Sequence, residues 1–479
     1  MNDVLVIGAG PAGLAAARAA RQQGASVTLL DSSDQLGGQF WRHLPDTRPS
    51  DSERILHHGW RTFRDLSNSL KSDDGCRIIR SAQVWAIEAS LAGPGTVHVV
   101  VGESDGVGRE RLVFSPGAMI LATGAHDRIL PFPGWDLPGV FSGGAAQSLA
   151  KGERLAVGRR VIVAGAGPFL LPVAASLART GSKVLGVFEA NRGPALLRGW
   201  LPKPWELLPV AGKSVELAGY LASHLRHRIP YWLGRMVVAA HGTDRLEAVT
   251  MAAVAADWTP IKGTEWTVEV DAVCVSHGFT PRLELAIAAG CELTAERFVR
   301  VDNGQRTSVP GVYAAGEITG LGGADLAMTE GFIAGHLAAA GGQVTDEAMR
   351  RAVRRRRNFQ GFARRIEAAH GIRAGWPTIV TADTIVCRCE EVSFGTLRAT
   401  AESSGSRSLR ALKLSTRAGL GICQGRTCGR SLEELLNTVV GQGGLRDGVT
   451  TDRRPIASPI RLGELATQAT AVPQSLETP

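Results

Sequence analysis

The strongest constraint on the fold is a pattern that occurs twice in the chain. An apolar β-branched run, a glycine turn and an alanine-rich helix cover residues 3–23, and the strand "ASVTLLD" follows. The same order returns in residues 160–189. Each copy predicts a βαβ unit that opens a parallel, nucleotide-binding sheet. A third strand, glycine turn and helix in residues 309–340 has no βαβ continuation, so we expect it to complete the first sheet.

These patterns predict an α/β chain with two tandem dinucleotide-binding domains, the first split by the second. With 479 residues the chain is too long for a single hydrophobic core, and typical domain sizes suggest about three domains. A small C-terminal domain, a basic helical linker and an extended tail complete the predicted organisation. The predicted ranges are 1–141 with 280–345, 142–279, 346–380 for the linker, 381–445 and 446–479.

The first glycine turn has the spacing G-x-G-x-x-G at Gly8, Gly10 and Gly13. These glycines allow a tight turn, close approach of the backbone to a pyrophosphate, and close contact between helix and strand. The helix amino terminus then meets the phosphate charge. Asp31 ends the second strand, where its carboxylate can accept hydrogen bonds from the adenosine ribose hydroxyls.

The second glycine turn keeps Gly165 and Gly167 but has Leu170 at the third position. Glu189 ends the next strand, and a carboxylate there favours the free 2'-hydroxyl of NAD over the 2'-phosphate of NADP. Two interpretations stay open: a working NAD site, or a retained fold whose pocket is empty or holds another adenine nucleotide.

Four of the seven cysteines lie close together near the C-terminal end: Cys387, Cys389, Cys423 and Cys428. Their spacing is C-x-C, a gap of 33 residues, then C-x4-C. The C-x-C start is cramped for a zinc knuckle, whereas the glycine-rich "GLGICQGRTCG" can direct backbone amides at cluster sulfides. A two-iron, two-sulfur cluster is favoured, and zinc is the alternative.

Further motifs resemble those of flavoproteins with two dinucleotide-binding (Rossmann-like) domains, such as the disulfide reductases. They are "LGGQFWR" after Asp31, "MILATGAHDR" and "VPGVYAAGEITG". In that family the A-T-G turn lies near the FAD pyrophosphate, and the final acidic residue lies near the flavin ribityl chain. Glu317 is one methylene longer than the commoner Asp. The predicted cofactor-binding residues of the first site are Gly8, Gly10, Gly13, Asp31, Gly38, Gln39, Val84, Thr123, Gly124, Gly316 and Glu317.

Redox cysteine pairs of the C-x-x-C type, which thioredoxin-reductase-like flavoproteins and disulfide reductases carry, do not occur in either dinucleotide domain. Transfer of hydride to a protein disulfide is therefore not expected. His126, Asp127 and Arg128 follow the A-T-G turn and are polar residues near the nucleotide, but we assign no catalytic residue.

The cysteine module is similar to the bacterioferritin-associated-ferredoxin (BFD)-like domain, which closes with C-x2-C rather than C-x4-C. With "CRCEEV", "TRAGLGICQGRTCG" and "ATGAHDRILPFPGWDLPGV", the chain resembles a narrower group. This group comprises the alpha subunits of octopine and nopaline oxidases, of D-hydroxyproline dehydrogenase and of hydrogen cyanide synthase. The match runs from residue 2 to about residue 465.

The resemblance implies an electron-transfer subunit that works with an amine-oxidising, FAD-containing beta subunit, in some systems with a small gamma subunit. The implied cofactors are a 2Fe-2S cluster and FAD or another adenine nucleotide, with FMN between subunits in several relatives. Two rivals stay open. One is a self-sufficient NADH-dependent flavin and iron-sulfur reductase, and the other is a non-catalytic scaffold with zinc.

Charge and hydropathy limit the location and the partners. The net charge is +8, with much of the excess in residues 349–365, and no groove-reading motif accompanies it, so we expect no nucleic acid. We expect this basic helix to face solvent or another subunit. No apolar run is long enough for a membrane span, and the first strand starts too early for a signal peptide. The expected location is cytoplasmic or peripheral at the inner membrane.

Overall fold

The computed structural model describes residues 3–48, 53–90, 92–341, 347–440, 452–454 and 456–472. The first part of the chain alternates strands and helices and then forms an antiparallel meander. Its elements are β1 Asp3–Ile7, α1 Pro11–Gln22, β2 Ser26–Leu30, α2 Glu53–Leu56, α3 Trp60–Lys71, β3 Cys76–Ile79, β4 Ala82–Glu88, β5 Thr96–Val101, β6 Glu110–Phe114, β7 Ala118–Leu121 and β8 Ala125–Asp127.

The second part repeats the alternation and carries a helical excursion. Its elements are β9 Val140–Ser142, α4 Gly143–Ser148, a π-helical turn Leu149–Glu153, β10 Arg160–Gly165, α5 Leu170–Arg179, β11 Lys183–Glu189, α6 Gly193–Trp200, a 3-10 turn Pro204–Val210, α7 Gly212–Arg226, β12 Tyr231–Leu233, β13 Arg235–His241, β14 Ala248–Ala253, β15 Trp266–Glu269, β16 Ala272–Ser276 and β17 Phe279–Pro281.

The remainder is mainly helical. Its elements are α8 Glu284–Ala288, β18 Val312–Ala314, α9 Gly323–Ala339, α10 Glu347–His370, a 3-10 turn Trp376–Ile379, β19 Ile385–Cys387, β20 Val392–Ser393, α11 Phe394–Ser404, α12 Leu409–Thr416, α13 Gly429–Val440, α14 Leu462–Ala466 and β21 Thr470–Ala471.

The first domain is built on a parallel sheet in the order β18-β7-β1-β2-β3. Strand β18 follows the whole second domain in the chain and pairs with β7, so the sheet is split as the sequence predicted. Helix α9 lies against α1 because both are rich in small residues. A Cβ on Gly331 would lie only 2.0 Å from the carbonyl oxygen of Ala12. This close packing places β18 and the start of α9 beside the first glycine turn.

The second domain has its own parallel sheet, in the order β12-β11-β10-β16-β9. Strand β9 starts at Val140 and pairs with β16, so this sheet begins two residues before the boundary we predicted at 142. The chain crosses between the domains twice, and the two crossings pair with each other as the antiparallel strands β8 and β17. The predicted boundary at 280 therefore falls inside β17.

The C-terminal helices pack directly on the second domain. One continuous core contains Trp135 before β9, Trp258 of the second domain, and Leu432 and Leu435 of α13. The indole nitrogen of Trp135 also donates a hydrogen bond to the carbonyl oxygen of Ile385. The cysteine module is therefore joined to the dinucleotide domains by a shared hydrophobic core.

The predicted linker and tail both make specific contacts. Helix α10 carries exposed arginines on its outer side, but Arg356 is buried and contacts the Glu330 carboxylate of α9 at 3.3 Å. In the described part of the tail, β21 pairs with β6, and Arg109 holds the Glu464 carboxylate through two hydrogen bonds of 2.7 Å. The tail thus contains a short helix and a strand beside its extended stretches.

Candidate cofactor sites

One large cavity lies at the first glycine turn and reaches between the two dinucleotide domains. Its volume is about 2520 Å³, whereas a pocket for one small ligand typically has roughly 300–1,000 Å³. Ten of the eleven residues predicted for the first site line it, and Gly13 lies behind them in α1. The structure thus brings together residues from β1, β2, β4, the A-T-G turn and the start of α9.

Two glycines of the first turn, Gly8 and Gly13, are required by close backbone contacts. A Cβ on Gly13 would lie 1.7 Å from the carbonyl oxygen of Gly8, so no larger residue fits between helix and strand. Gly8 has a φ of +105°, and a Cβ there would lie 2.3 Å from the carbonyl oxygen of Ala122. Gly10 caps α1, whose first residues line the cavity, so the helix amino terminus points into it. This geometry fits a bound pyrophosphate.

Asp31 lies at the floor of the same cavity. One carboxylate oxygen accepts from the Ala9 amide at 2.5 Å, and the other accepts from the Ser33 amide at 2.7 Å. Burial raises the pKa of Asp31, and these hydrogen bonds oppose the shift. Carboxylate oxygens have several lone pairs, so Asp31 keeps capacity for ligand hydroxyls at the cavity surface.

Glu317 also borders the cavity, but its carboxylate is engaged with the next helix. Its Oε1 accepts from the amides of Gly323 at 2.8 Å and Gly322 at 3.4 Å, where α9 begins. Burial raises the pKa of Glu317 to about 7. The Glu317 side chain therefore caps the amino terminus of α9, the next helix in the chain, and still borders the cavity.

The second glycine turn has a different shape. A Cβ on Gly165 would lie 1.8 Å from the carbonyl oxygen of Ser276, so the first glycine is needed as in the first turn. Helix α5 starts only at Leu170, whereas α1 starts directly after Gly10. Of the predicted residues of this site, Gly167 lines the large cavity, and Gly165 and Glu189 do not.

Glu189 is completely buried and surrounded by donors of the protein itself. Its carboxylate accepts from the Gly167 amide at 2.8 Å and from the side chain of Asn191 at 2.9 Å. The Asn191 backbone amide at 3.1 Å, the Tyr231 hydroxyl at 3.3 Å and His370 Nδ1 at 3.1 Å complete the set. The carboxylate that the sequence suggested for an NAD ribose is thus held inside the protein.

All four C-terminal cysteines line a second cavity, of about 530 Å³. Cys387 and Cys428 are buried, and Cys389 is exposed. A hydrogen bond from the Cys428 thiol lowers the pKa of Cys387 to about 6 and that of Cys423 to about 4. The same hydrogen bonds raise the pKa of Cys428, and burial raises that of Cys389. The Gly419 amide also donates to the Cys387 sulfur at 3.4 Å. Four cysteine sulfurs on one cavity, with an amide donor to one of them, fit a thiolate-bound cluster.

A single-metal site is a separate question. Within the described ranges, no group of three or more His, Cys, Asp and Glu side chains is arranged to hold one ion.

The two cavities share a wall that the sequence analysis did not identify. Ser142 and Ala145 line both of them, and the Ser142 hydroxyl caps α4 by accepting from the Ala145 amide at 2.9 Å. His126 Nε2 also lies 2.8 Å from the carbonyl oxygen of Arg426, between Cys423 and Cys428. The only sequence signal for this wall was a serine before a short helix, which is common in any chain.

Comparison with known proteins agrees with these two sites. The model of the pyridine nucleotide-disulphide oxidoreductase family matches residues 2–342. The model of the BFD-like [2Fe-2S] binding domain matches residues 385–438. These matches confirm FAD and a 2Fe-2S cluster as the cofactors of the chain.

Individual relatives match over nearly the whole chain. The A subunit of the opine oxidase of Agrobacterium tumefaciens (strain Ach5) is 32% identical, over 97% of this chain and 91% of its own length. Hydrogen cyanide synthase subunit HcnB of Pseudomonas protegens is 30% identical, over 92% and 93%. The chain belongs to the family of opine oxidase A subunits. The resemblance that the sequence motifs indicated is confirmed.

A solved structure supports the fold of this member of the opine oxidase family. The L-proline dehydrogenase of P. horikoshii superimposes with a TM-score of 0.63 at 20% identity, over 97% of this chain and 79% of its own. The predicted α/β class, with two dinucleotide-binding domains and an iron-sulfur domain, is confirmed. Among the described residues, no helix has both the length and the apolar character needed to cross a bilayer.

Proposed function

We propose that this chain is the electron-transfer (alpha) subunit of a heteromeric, flavin-dependent amine or imino-acid dehydrogenase of the opine or D-hydroxyproline type. An amine-oxidising, FAD-containing beta subunit, with a small gamma subunit in some systems, supplies the electrons. A quinone or another acceptor receives them, in the cytoplasm or at the inner membrane. The observation that carries the proposal is the wall of Ser142 and Ala145, which the nucleotide cavity and the cysteine cavity share.

The chain's own residues would hold the two redox groups in two cavities that share the wall of Ser142 and Ala145. The Gly8 and Gly10 turn and the amino terminus of α1 receive the pyrophosphate, and Asp31 accepts from the ribose hydroxyls. The four cysteine sulfurs hold the cluster, and amides such as that of Gly419 stabilise their negative charge. When bound, a flavin accepts two electrons together and a 2Fe-2S cluster passes on one at a time.

The alternative function, a self-sufficient NADH-dependent reductase, needs a working second site. Against it stands Glu189, whose carboxylate already accepts from Gly167, Asn191, Tyr231 and His370 and does not border the cavity. An NAD ribose would have to displace these donors. We therefore favour electron entry from a partner protein.

An anaerobic titration of the purified, iron-reconstituted chain tests the proposal. We expect NADH to leave the flavin absorbance and the cluster's paramagnetic signal unchanged over minutes, while dithionite reduces both. Adding the amine-oxidising partner with its amine substrate is expected to reduce both without NADH.

The variant Cys423→Ser is the matched control in this titration. It should lose the cluster's visible absorbance and keep its bound flavin, because Cys423 does not border the nucleotide cavity. Rapid reduction of the unmodified chain by NADH would contradict the proposal, and so would oxidation of an opine or hydroxyproline by the isolated chain.

A further inference from the structure

Exposed apolar side chains are concentrated in one segment of the second domain. In the described residues, 21 large apolar side chains are exposed, and 11 of them lie between Leu197 and Leu233. Three of these 11, Leu217, Leu221 and Tyr231, also line the large cavity, and the other eight do not. This segment consists of α6, the 3-10 turn 204–210, α7 and β12, and we refer to residues 193–233 as the apolar cap. Single exposed apolar residues are ordinary, but such a concentration marks a binding surface.

The cap presents apolar residues on two opposite sides. On its inner side, Leu196, Trp200 and Leu207 line the large cavity. Each of these is followed by an exposed residue that does not line it, namely Leu197, Leu201 and Leu208. A helix that is apolar on both sides needs two apolar environments. The cavity side provides one, and the outer side has none among the described residues.

The outer surface is held in a defined position. Arg365 of α10 is buried and donates hydrogen bonds to the carbonyl oxygens of Gly199 and Lys203, at 3.3 and 3.0 Å. The Trp200 ring also contacts the Phe362 ring, with centroids 5.4 Å apart. A preorganised apolar surface loses little conformational entropy when a partner binds.

Charge and position indicate what covers this surface. Five exposed cations lie in or next to the cap, against one exposed anion, Glu206: Arg192, Arg198, Lys203, Arg226 and Arg228. A partner with an apolar centre and an acidic rim is complementary to it. A helix with its side chains is roughly 10–12 Å thick, so a protein on the outer side is separated from the cavity by about one helix.

We propose that the outer side of the apolar cap is the docking surface for the amine-oxidising flavoprotein, which binds it through an apolar face ringed by carboxylates. The inference rests on the proposed function. It adds the place where the partner binds, directly over the wall of the nucleotide cavity.

The test uses the complex of the full chain with the flavoprotein that copurifies with it from its source cells and oxidises an amine. The double variant Leu208→Asp/Leu225→Asp puts two charges on the cap, at side chains that are 74% and 82% exposed. We expect the recovered partner to fall about tenfold or more, because unpaired carboxylates would be desolvated in the interface. Flavin and cluster absorbance should stay normal.

The matched control is Val107→Asp/Leu462→Asp, at side chains that are 90% and 85% exposed and lie outside the cap. It should leave partner recovery unchanged. Hydrogen exchange gives a measurement without mutation: amides of residues 193–233 should exchange more slowly in the complex than in the isolated chain. Because hydrogen exchange is measured on the unmodified chain, it still tests the inference if the cap variant loses its cofactors.

Three results would overturn the inference. The partner could bind with no protection of the cap and with no effect of the variant. The variant could instead abolish self-association of the chain, or its binding to phosphatidylcholine vesicles containing phosphatidylglycerol, while partner binding persists. Loss of self-association would assign the cap to a second copy of the chain, and loss of vesicle binding would assign it to a membrane surface. If no amine-oxidising flavoprotein copurifies with the unmodified chain, the proposed function fails, and this inference fails with it.

Discussion

The two glycine turns start from nearly the same sequence and end as different environments. In the first, Gly13 allows α1 to begin directly after Gly10, and Asp31 remains at the cavity surface. In the second, Leu170 occupies the third position, α5 begins at Leu170 rather than directly after Gly167, and Glu189 is completely buried. The comparison shows that a dinucleotide-binding fold can be kept while the carboxylate at the position expected to bind the ribose is buried inside the domain.

The largest effect that would separate the two turns is expected from Gly10→Val. Gly10 has an ordinary φ of −75°, and its Cβ would lie 4.0 Å from the Cα of Gly38, so the chain should fold. The added side chain occupies the place where the backbone approaches the pyrophosphate. We expect FAD content, measured by absorbance after desalting, to fall to about a tenth or less.

Gly167→Ala in the second turn is the control for this variant. Its φ of +104° makes the substitution cost about 1–3 kcal/mol of stability, but FAD content should not change. Normal FAD content in Gly10→Val would contradict the placement of the first site.

A second comparison replaces the carboxylates of the two turns, Glu189 and Asp31, by the corresponding amides. Glu189→Gln should lower the free energy of unfolding by about 2–3 kcal/mol, because an amide nitrogen would face donors such as Gly167 and Tyr231. FAD affinity should stay the same. Asp31→Asn should show the reverse pattern, with about a tenfold weaker affinity for FAD and a smaller loss of stability.

Denaturant unfolding and FAD titration of both variants measure this crossed pattern. A loss of FAD affinity in Glu189→Gln, or NADH binding that depends on Glu189, would show that the second carboxylate serves a ligand after all.

The first site has a further carboxylate, Glu317. The residues predicted for the second site include no carboxylate that corresponds to it. Its pKa is raised in the folded chain to about 7, from 4.5. The native state therefore binds more protons than the unfolded state between these values, and stability falls as pH rises from about 4.5 to 7. Glu317→Gln should remove this slope, which amounts to at most about 3 kcal/mol.

Unfolding of the FAD-free chain and of Glu317→Gln across this pH range checks the prediction. Parallel stability curves for the two proteins would contradict it. Asp325→Asn is a suitable control for the loss of one carboxylate, because Asp325 lies in the first turn of α9, the helix that Glu317 caps.

The smallest effect is expected from Tyr231→Phe. The Tyr231 hydroxyl donates to Glu189 at 3.3 Å, and removing one of several donors should cost about 1 kcal/mol. The remaining donors keep Glu189 enclosed, so NADH should still fail to reduce the flavin. Reduction by NADH in this variant alone would mean that a single hydroxyl closes the second site.

Much of the first site could be predicted because its determinants are local. The G-x-G-x-x-G spacing indicates a turn in which Gly8 and Gly13 leave no room for a Cβ, and Asp31 follows at the end of the next strand. The cysteine spacing likewise indicated a cluster, which the family match supports. The strands next to the boundaries predicted at 142 and 280, β9 and β17, pair with strands that lie more than 100 residues away in the chain, β16 and β8, and no local pattern indicates such pairings.

By itself, the sequence determined the two βαβ units, the split of the first domain and the cysteines predicted to bind a cluster, because each is marked by a short motif of its own. Only the tertiary structure decided the state of the second site, since Tyr231 and His370 reach Glu189 from 42 and 181 residues away. It also decided that Ser142 and Ala145 separate the two cavities. Burial and shared walls arise from packing between distant segments, and no local pattern encodes them.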